Sequence, residues 1–328
     1  MISRLAYFDV ARALCMLWVV GFWHAMGYWT SPYDRIEGSD LGQIITWGIL
    51  AGFTFFSGYF LRHKTVNTLD DIKSFYKARF FKFYILYAIS CLTLYFAGII
   101  LSASGKGQIW FSSPSSLVYS LIGLGTYLGV APATLWYMTM LMSFYFITPV
   151  FLFLNQKHRF YFIVLLNSFL LLATSIFEID VRNIMYFPFY CFGLFSLDFN
   201  KLVEKHLPAK TLGCLFLFGI SAVIQLHTSS QFNNWFYSSC FFFILSIILV
   251  SRIIETWLPQ VVSLLVKVSY GSMAAFLFHR QVYGVLKILL KDSGISPVTT
   301  SLIFLPTIFI LSFYVQQGYD FIINKLIR

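Results

Sequence analysis

Charge is scarce in this chain. Asp, Glu, Lys and Arg together make up 11% of its 328 residues, whereas a soluble domain carries about a quarter, and this excludes an ordinary soluble protein. Long hydrophilic stretches are also missing, which leaves no room for a soluble catalytic domain. The five cysteines, Cys15, Cys91, Cys191, Cys214 and Cys240, fall within apolar segments and show no Cys-x-x-Cys spacing. They read as small buried hydrophobes and offer neither a metal site nor a disulfide framework. No internal repeat is visible, since the Ser-Gly-Tyr segment at 57–59 and the basic pair Arg79 and Lys82 have no echo in the second half. What fills the chain is apolar: 59% of residues are hydrophobic and 20% aromatic.

About 20 apolar residues cross the hydrocarbon core of a bilayer, and ten candidate spans recur: 6–28, 41–61, 80–103, 134–154, 159–178, 183–198, 210–227, 235–254, 261–280 and 299–322. The expected fold class is therefore all-α, a polytopic transmembrane helical bundle of about ten spans, with residues 1–328 forming a single transmembrane domain. The stretch 115–130 is short and carries three glycines, so a re-entrant or interfacial element is expected there. The segment that begins Met-Ile-Ser-Arg contains Asp9 and Arg12 and ends without a small-residue cleavage site. It reads as a retained first helix and not as a signal peptide.

A formal net charge of +10 could suggest nucleic acid, but the placement of the charges gives a better explanation. With the N-terminus inside, sixteen Lys and Arg fall in joints entered from the cytoplasm, among them Arg62, Lys64, Lys73, Lys77, Arg79 and Lys82. The opposite joints hold only five, Arg35, Lys106, Arg182, Lys287 and Lys291. This bias follows the positive-inside rule and predicts ten spans with both termini cytoplasmic. Membrane lipids, not nucleic acid, are the expected surroundings.

Asp9, Arg12 and His24 share the first apolar segment. Ionisable groups in hydrocarbon cost a few kcal/mol each on insertion scales, so such residues usually line a bundle interior and often do chemistry. The alternative places Asp9 and Arg12 as a snorkelling pair at headgroup depth with His24 at the far face. Arg79 and Lys82 stand three apart at the expected cytoplasmic start of a helix and share a face. Cations there oppose the helix dipole and would suit a phosphorylated ligand; positive-inside anchoring is the simpler alternative. Trp136, Tyr137 and Tyr145 taken singly read as belt or core aromatics, and His279 as an interfacial histidine.

Taken together and in order, these segments resemble the membrane-bound acyltransferase 3 family, bacterial integral-membrane carbohydrate O-acyltransferases. Asp9, Arg12 and His24 are similar to its Asp-x-x-Arg followed by an apolar run to His. Phe55, Phe56, Ser57, Gly58 and Tyr59 resemble its Phe-Phe-x-x-Ser-Gly-type signature, and Arg79 with Lys82 its basic Arg-x-x-Arg. Trp136 to Pro149, with Tyr145, resembles its Trp-containing span, and Ser269-Tyr-Gly to Phe276-Leu-Phe-His279 its Ser-Tyr-Gly and Tyr-Leu-x-His signature. Lys82 replaces the usual second Arg, and Ile85 stands where a Pro is common. Eleven residues separate Arg12 from His24 where the family usually has ten. In an α-helix of about 100° per residue, that leaves the two side chains about 120° apart instead of about 20°. A π-bulge near Gly21 would absorb the extra residue, and the length of the Arg side chain would cover part of the offset.

The resemblance implies transfer of an acyl group, most simply acetyl, from cytoplasmic acetyl-CoA or another acyl-CoA to a hydroxyl of a cell-surface or lipid-linked glycan, in the bacterial inner membrane. No permanently bound cofactor or metal is expected; acyl-CoA is a donor substrate. In this scheme His24 is the general base or carries a covalent acyl group, Arg12 stabilises the oxyanion or holds a phosphate, and Asp9 neutralises Arg12. Arg79 and Lys82 bind acyl-CoA. Ser57, Tyr59, Trp136, Tyr145, Ser269 and His279 are motif or substrate-site candidates. The competing expectation from another class is a transporter of a glycan intermediate or small anion, with Asp9, Arg12 and His24 as its relay.

Overall fold

The computed structural model describes residues 5–24, 40–103, 111, 113–128, 134–154, 156–177, 179–195, 206–228, 234–290 and 295–327, and no strand occurs among them. Residues 25–28 of the first expected span and 196–198 of the sixth lie outside the described residues. Helix α1 (Ala6–Met16) continues directly as a π-helix (Leu17–His24). After it come α2 (Asp40–Tyr59), α3 (Leu69–Arg79), a second π segment (Phe80–Tyr84), α4 (Ile85–Ala103), α5 (Pro114–Leu121) and α6 (Leu135–Phe153). The chain then forms α7 (Gln156–Phe177), α8 (Arg182–Phe195), α9 (Leu207–His227), α10 (Asn234–Trp257), α11 (Pro259–Leu290) and α12 (Pro297–Ile327).

Nine helical segments among the described residues are long and apolar enough to cross a membrane. The sixth expected span is the exception, because α8 has only 14 residues. It nevertheless runs beside α6 over the same depth. At one end the Arg182 guanidinium lies 3.9 Å over the Trp136 ring, and at the other Phe195 packs against Phe151 with centroids 6.0 Å apart. Counting crossings by parity agrees with α8 as one of them. Ser269 pairs with Asp9, Ser272 with Arg12 and Arg280 with His24, so α11 runs parallel to α1. Parallel helices must be separated by an odd number of intervening crossings, and among the described residues the six long segments between them become seven when α8 is counted and the eight-residue α5 is not.

Burial separates a centre from a rim. Two thirds of the apolar windows of α2 and α6 are inside the protein (67% each), against 6% for α7 and 17% for α9. The rim helices turn residues such as Leu165, Phe169, Leu212 and Phe216 outward, as expected where the solvent is lipid. Helix α1 is buried on nearly all sides, from Tyr7 to Met16.

Close approach at the centre depends on glycine. A Cβ on Gly58 of α2 would lie 2.2 Å from the Tyr190 carbonyl oxygen of α8, and one on Gly193 would lie 2.1 Å from that of Phe55. The two helices therefore cross backbone to backbone, the small-residue contact typical of membrane bundles.

The stretch expected to be re-entrant or interfacial contains α5, eight residues long, or about 12 Å of rise. Ser113 caps its N-terminus by accepting from the Ser116 N–H, and Pro114 begins it. At the other end, the Tyr84 and Tyr87 hydroxyls donate to the Leu121 and Ser120 carbonyls, both at 2.9 Å. These bonds satisfy helix-end groups that would otherwise be stranded.

One expectation needs correction. Arg79 and Lys82 do not head a helix. The helix begins at Leu69, where Thr68 and Asp71 form a capping box, and Arg79 stands in the last turn of α3 before the second π segment. Arg79, in a last turn, therefore does not oppose the dipole of this helix. The capping carboxyl of Asp71, which accepts from the backbone of Asn67 and from Thr68, is held below the usual carboxylate range.

Candidate active site

The π-helix Leu17–His24 aims the site. A π turn takes i→i+5 hydrogen bonds and holds one more residue than an α turn, which offsets the extra residue between Arg12 and His24. Both side chains consequently meet the same face of α11. Arg12 Nη2 donates to Ser272 Oγ at 3.2 Å, while His24 meets His279 and Arg280, roughly two turns further along. Neighbours fix the π segment: the Tyr283 hydroxyl donates to the Val20 carbonyl at 2.7 Å, and Trp18 Nε1 donates to Thr46 Oγ1 at 3.1 Å.

His24 lines a cavity of about 410 Å³ together with Trp23, Gln43, Trp47, Trp136, Asp180, Arg182 and Arg280, among others. Its ring stacks on that of His279, with centroids 4.6 Å apart and planes within 13°. Arg280 Nη2 lies 3.4 Å from His24 Nε2. A guanidinium only donates, so Nε2 is the accepting nitrogen, and Nδ1 is left buried without a hydrogen-bond partner. His279 Nδ1 faces the carbonyls of Phe276 at 2.8 Å and Ala275 at 3.1 Å. It must therefore carry the proton, which fixes the tautomer. Arg280 is itself held by its Nε–H donating to Thr134 Oγ1. Arg182 forms an ion pair with Asp180.

A second cavity of about 290 Å³ lies deeper toward the basic end. Arg12, Ser57, Arg79, Lys82 and Tyr145 line it, together with apolar side chains that include Met138 and Leu141. No carboxylate is among its lining residues. Arg12 is partly balanced by Asp9 at 3.8 Å, whose Oδ1 also accepts from Ser269 Oγ at 2.9 Å. The Arg79 guanidinium sits 5.0 Å over the Tyr145 ring, and its Nε is buried without a hydrogen-bond partner. Lys64, in the turn below, is close enough to feel this charge: partial burial, then Arg79 and Lys82, push its ammonium below the usual lysine range. Three cations, Arg12, Arg79 and Lys82, thus converge on one apolar chamber. Tyr137 and Phe276 line both cavities.

The expected site residues therefore fall into two groups. His24 and Trp136 face the larger cavity, with His279 stacked behind; Arg12, Ser57, Arg79, Lys82 and Tyr145 face the basic one. Asp9 and Ser269 sit behind Arg12 as an interhelical hydrogen bond, and Tyr59 packs between Phe8 and the Arg62 guanidinium. Arg12 and His24 are not brought together; Arg280 stands beside the imidazole instead. Arg280 and Thr134 are not among the expected site residues, and Tyr137 and Phe276 stand there only as a belt or core aromatic and as a motif position. Arg280 comes beside His24 because α11 runs parallel to α1, as the Asp9–Ser269 and Arg12–Ser272 pairs show.

What this arrangement can do is acid–base and anion chemistry at two ends of one bundle. No curated protein and no solved structure matches the chain. A family model described as an acyltransferase domain matches residues 5–316, which favours an enzyme over a transporter. With its apolar spans, the chain is a multi-pass membrane acyltransferase and belongs to the acyltransferase 3 family.

Proposed function

We propose that the protein moves an acyl group, acetyl in the simplest case, from acyl-CoA to a hydroxyl of a cell-surface or lipid-linked glycan in the bacterial inner membrane. The basic cavity takes the donor from the cytoplasm, and the His24 cavity takes the acceptor from the far side. The observation that carries this reading is the pair of cavities, one cationic and one ending on an imidazole, which share a wall inside the bundle. Arg79, Lys82, Arg12 and Lys64 suit the phosphates of CoA, and the apolar lining suits its thin uncharged arm. No resident cofactor is required.

A sugar hydroxyl is a weak nucleophile and needs a base as it attacks the thioester carbonyl. Nε2 of His24 is the acceptor nitrogen facing Arg280, and at 3.4 Å that contact is long. A hydroxyl inserted there donates its proton to Nε2 as its oxygen bonds to the carbonyl carbon. The oxyanion that develops on the carbonyl lies within reach of the Arg280 guanidinium. Collapse breaks the C–S bond, and the proton held by His24 passes to the leaving thiolate to give free CoA. A covalent acyl-imidazole would use the same nitrogen. Replacement His24→Ala, in protein shown to be folded and inserted, is expected to lower labelled acyl transfer by about 10²- to 10⁴-fold; transfer at the wild-type rate would exclude both routes.

A further inference from the structure

The acyl carbon has to leave one cavity and reach the other, and among the described residues two side chains border both: Tyr137 of α6 and Phe276 of α11. Their rings meet nearly edge to face, with centroids 5.7 Å apart and planes at 67°. Both are buried, Tyr137 at 4% and Phe276 at 6% exposure. The Tyr137 hydroxyl is tied to α2, 3.0 Å from Thr54 Oγ1 and 3.3 Å from the Leu50 carbonyl, and Thr54 is itself anchored to Leu50 at 2.8 Å. On the other side the Phe276 carbonyl accepts from His279 Nδ1, and His279 stacks on His24. The ring pair is thus held by three helices and is joined through one backbone carbonyl to the imidazole stack.

Resting on the assignment of donor and acceptor cavities above, we propose that the Tyr137–Phe276 pair is the acyl selector of this enzyme, the constriction through which the acyl end of the donor passes and which sets how long that acyl group can be. The chemistry of the two sides supports this. A cationic chamber retains the phosphorylated body of the donor, and aromatic rings between the chambers give an apolar slot with no group to bind charge. Such a slot admits a short acyl chain and, when filled, excludes water from the thioester. Each methylene that a hydrophobic slot accepts or refuses is worth about 10- to 200-fold in discrimination, so two rings are sufficient to separate acetyl from hexanoyl.

The test uses the full chain in liposomes, with polysaccharide extracted from the source cells as acceptor and labelled acetyl-, butyryl- and hexanoyl-CoA as donors. Wild-type protein is expected to prefer acetyl, and Phe276→Ala to raise the hexanoyl-to-acetyl ratio of kcat/KM by at least about tenfold, with more donor hydrolysis in the absence of acceptor. Phe276→Leu and Tyr137→Leu should shift the ratio in the same direction by less. An unchanged ratio in any of these variants that still transfers acetyl overturns the proposal. So does a wild-type protein that uses hexanoyl-CoA as well as acetyl-CoA. It is also overturned if all three variants fold and bind donor yet transfer nothing, since a widened slot cannot block the smallest group. If wild-type protein consumes no acyl-CoA of any length, the donor assignment itself fails, an outcome distinct from all of these.

Discussion

Arg280 reaches His24 because α11 runs parallel to α1, and this pairing puts Arg280, not Arg12, beside the imidazole. Arg12, ion-paired to Asp9 and bonded to Ser272, lines the basic cavity with Arg79 and Lys82, while Arg280 stands at the imidazole. Arg280→Gln is expected to lower kcat by about 10²- to 10³-fold with little change in KM for acyl-CoA, as for loss of an oxyanion donor. Arg12→Gln should instead raise that KM and leave kcat nearly intact, as for lost ground-state binding. Steady-state kinetics on the two variants separates the roles, and the reverse pattern would return Arg12 to the reacting carbonyl. His24 was legible because a histidine in hydrocarbon needs a reason to be there. Arg280 was not, because at the edge of an expected span it reads as one more boundary charge. Its meaning comes from α1 and α11 packing side by side, which no local pattern records.

At the scale of elements, the extra residue between Arg12 and His24 could be counted in the sequence, and a π-helix, one of the two ways expected to meet the offset, spans Leu17–His24 and includes Gly21. The basic pair was misplaced because the capping box that starts the helix, Thr68 to Asp71, precedes the apolar run by about three turns. Hydropathy therefore located the span but not the start of the helix. The Gly58–Gly193 crossing was visible only as two glycines in separate segments. Since a Cβ at either position meets backbone near 2 Å, Gly58→Ala or Gly193→Ala is expected to destabilise the bundle by about 1–3 kcal/mol. Gly213→Ala and Gly219→Ala of α9 meet nothing within 4 Å and should be neutral or stabilising by up to about 1 kcal/mol. Thermal unfolding midpoints in one detergent compare the four variants; equal shifts would mean that the close crossing does not hold the centre together.

The whole molecule followed from composition to a considerable extent. Long apolar runs with basic joints define a polytopic bundle, and nine described helices meet that length and apolarity. The tenth, α8, has 14 described residues and carries Pro188 within the helix. The two-cavity plan could not be read in advance, since it depends on α6 and α11 meeting through Tyr137 and Phe276, 139 positions apart. This plan makes the enzyme sided. The measurement that tests it most directly is acyl transfer by protein inserted in one orientation in liposomes, with acyl-CoA supplied to one face at a time. Transfer is expected only when acyl-CoA is on the face of Lys64 and Arg79, and no transfer when it is confined to the face of Asp180 and Arg182. Equal transfer from either face would contradict the separation of donor and acceptor on which the mechanism rests.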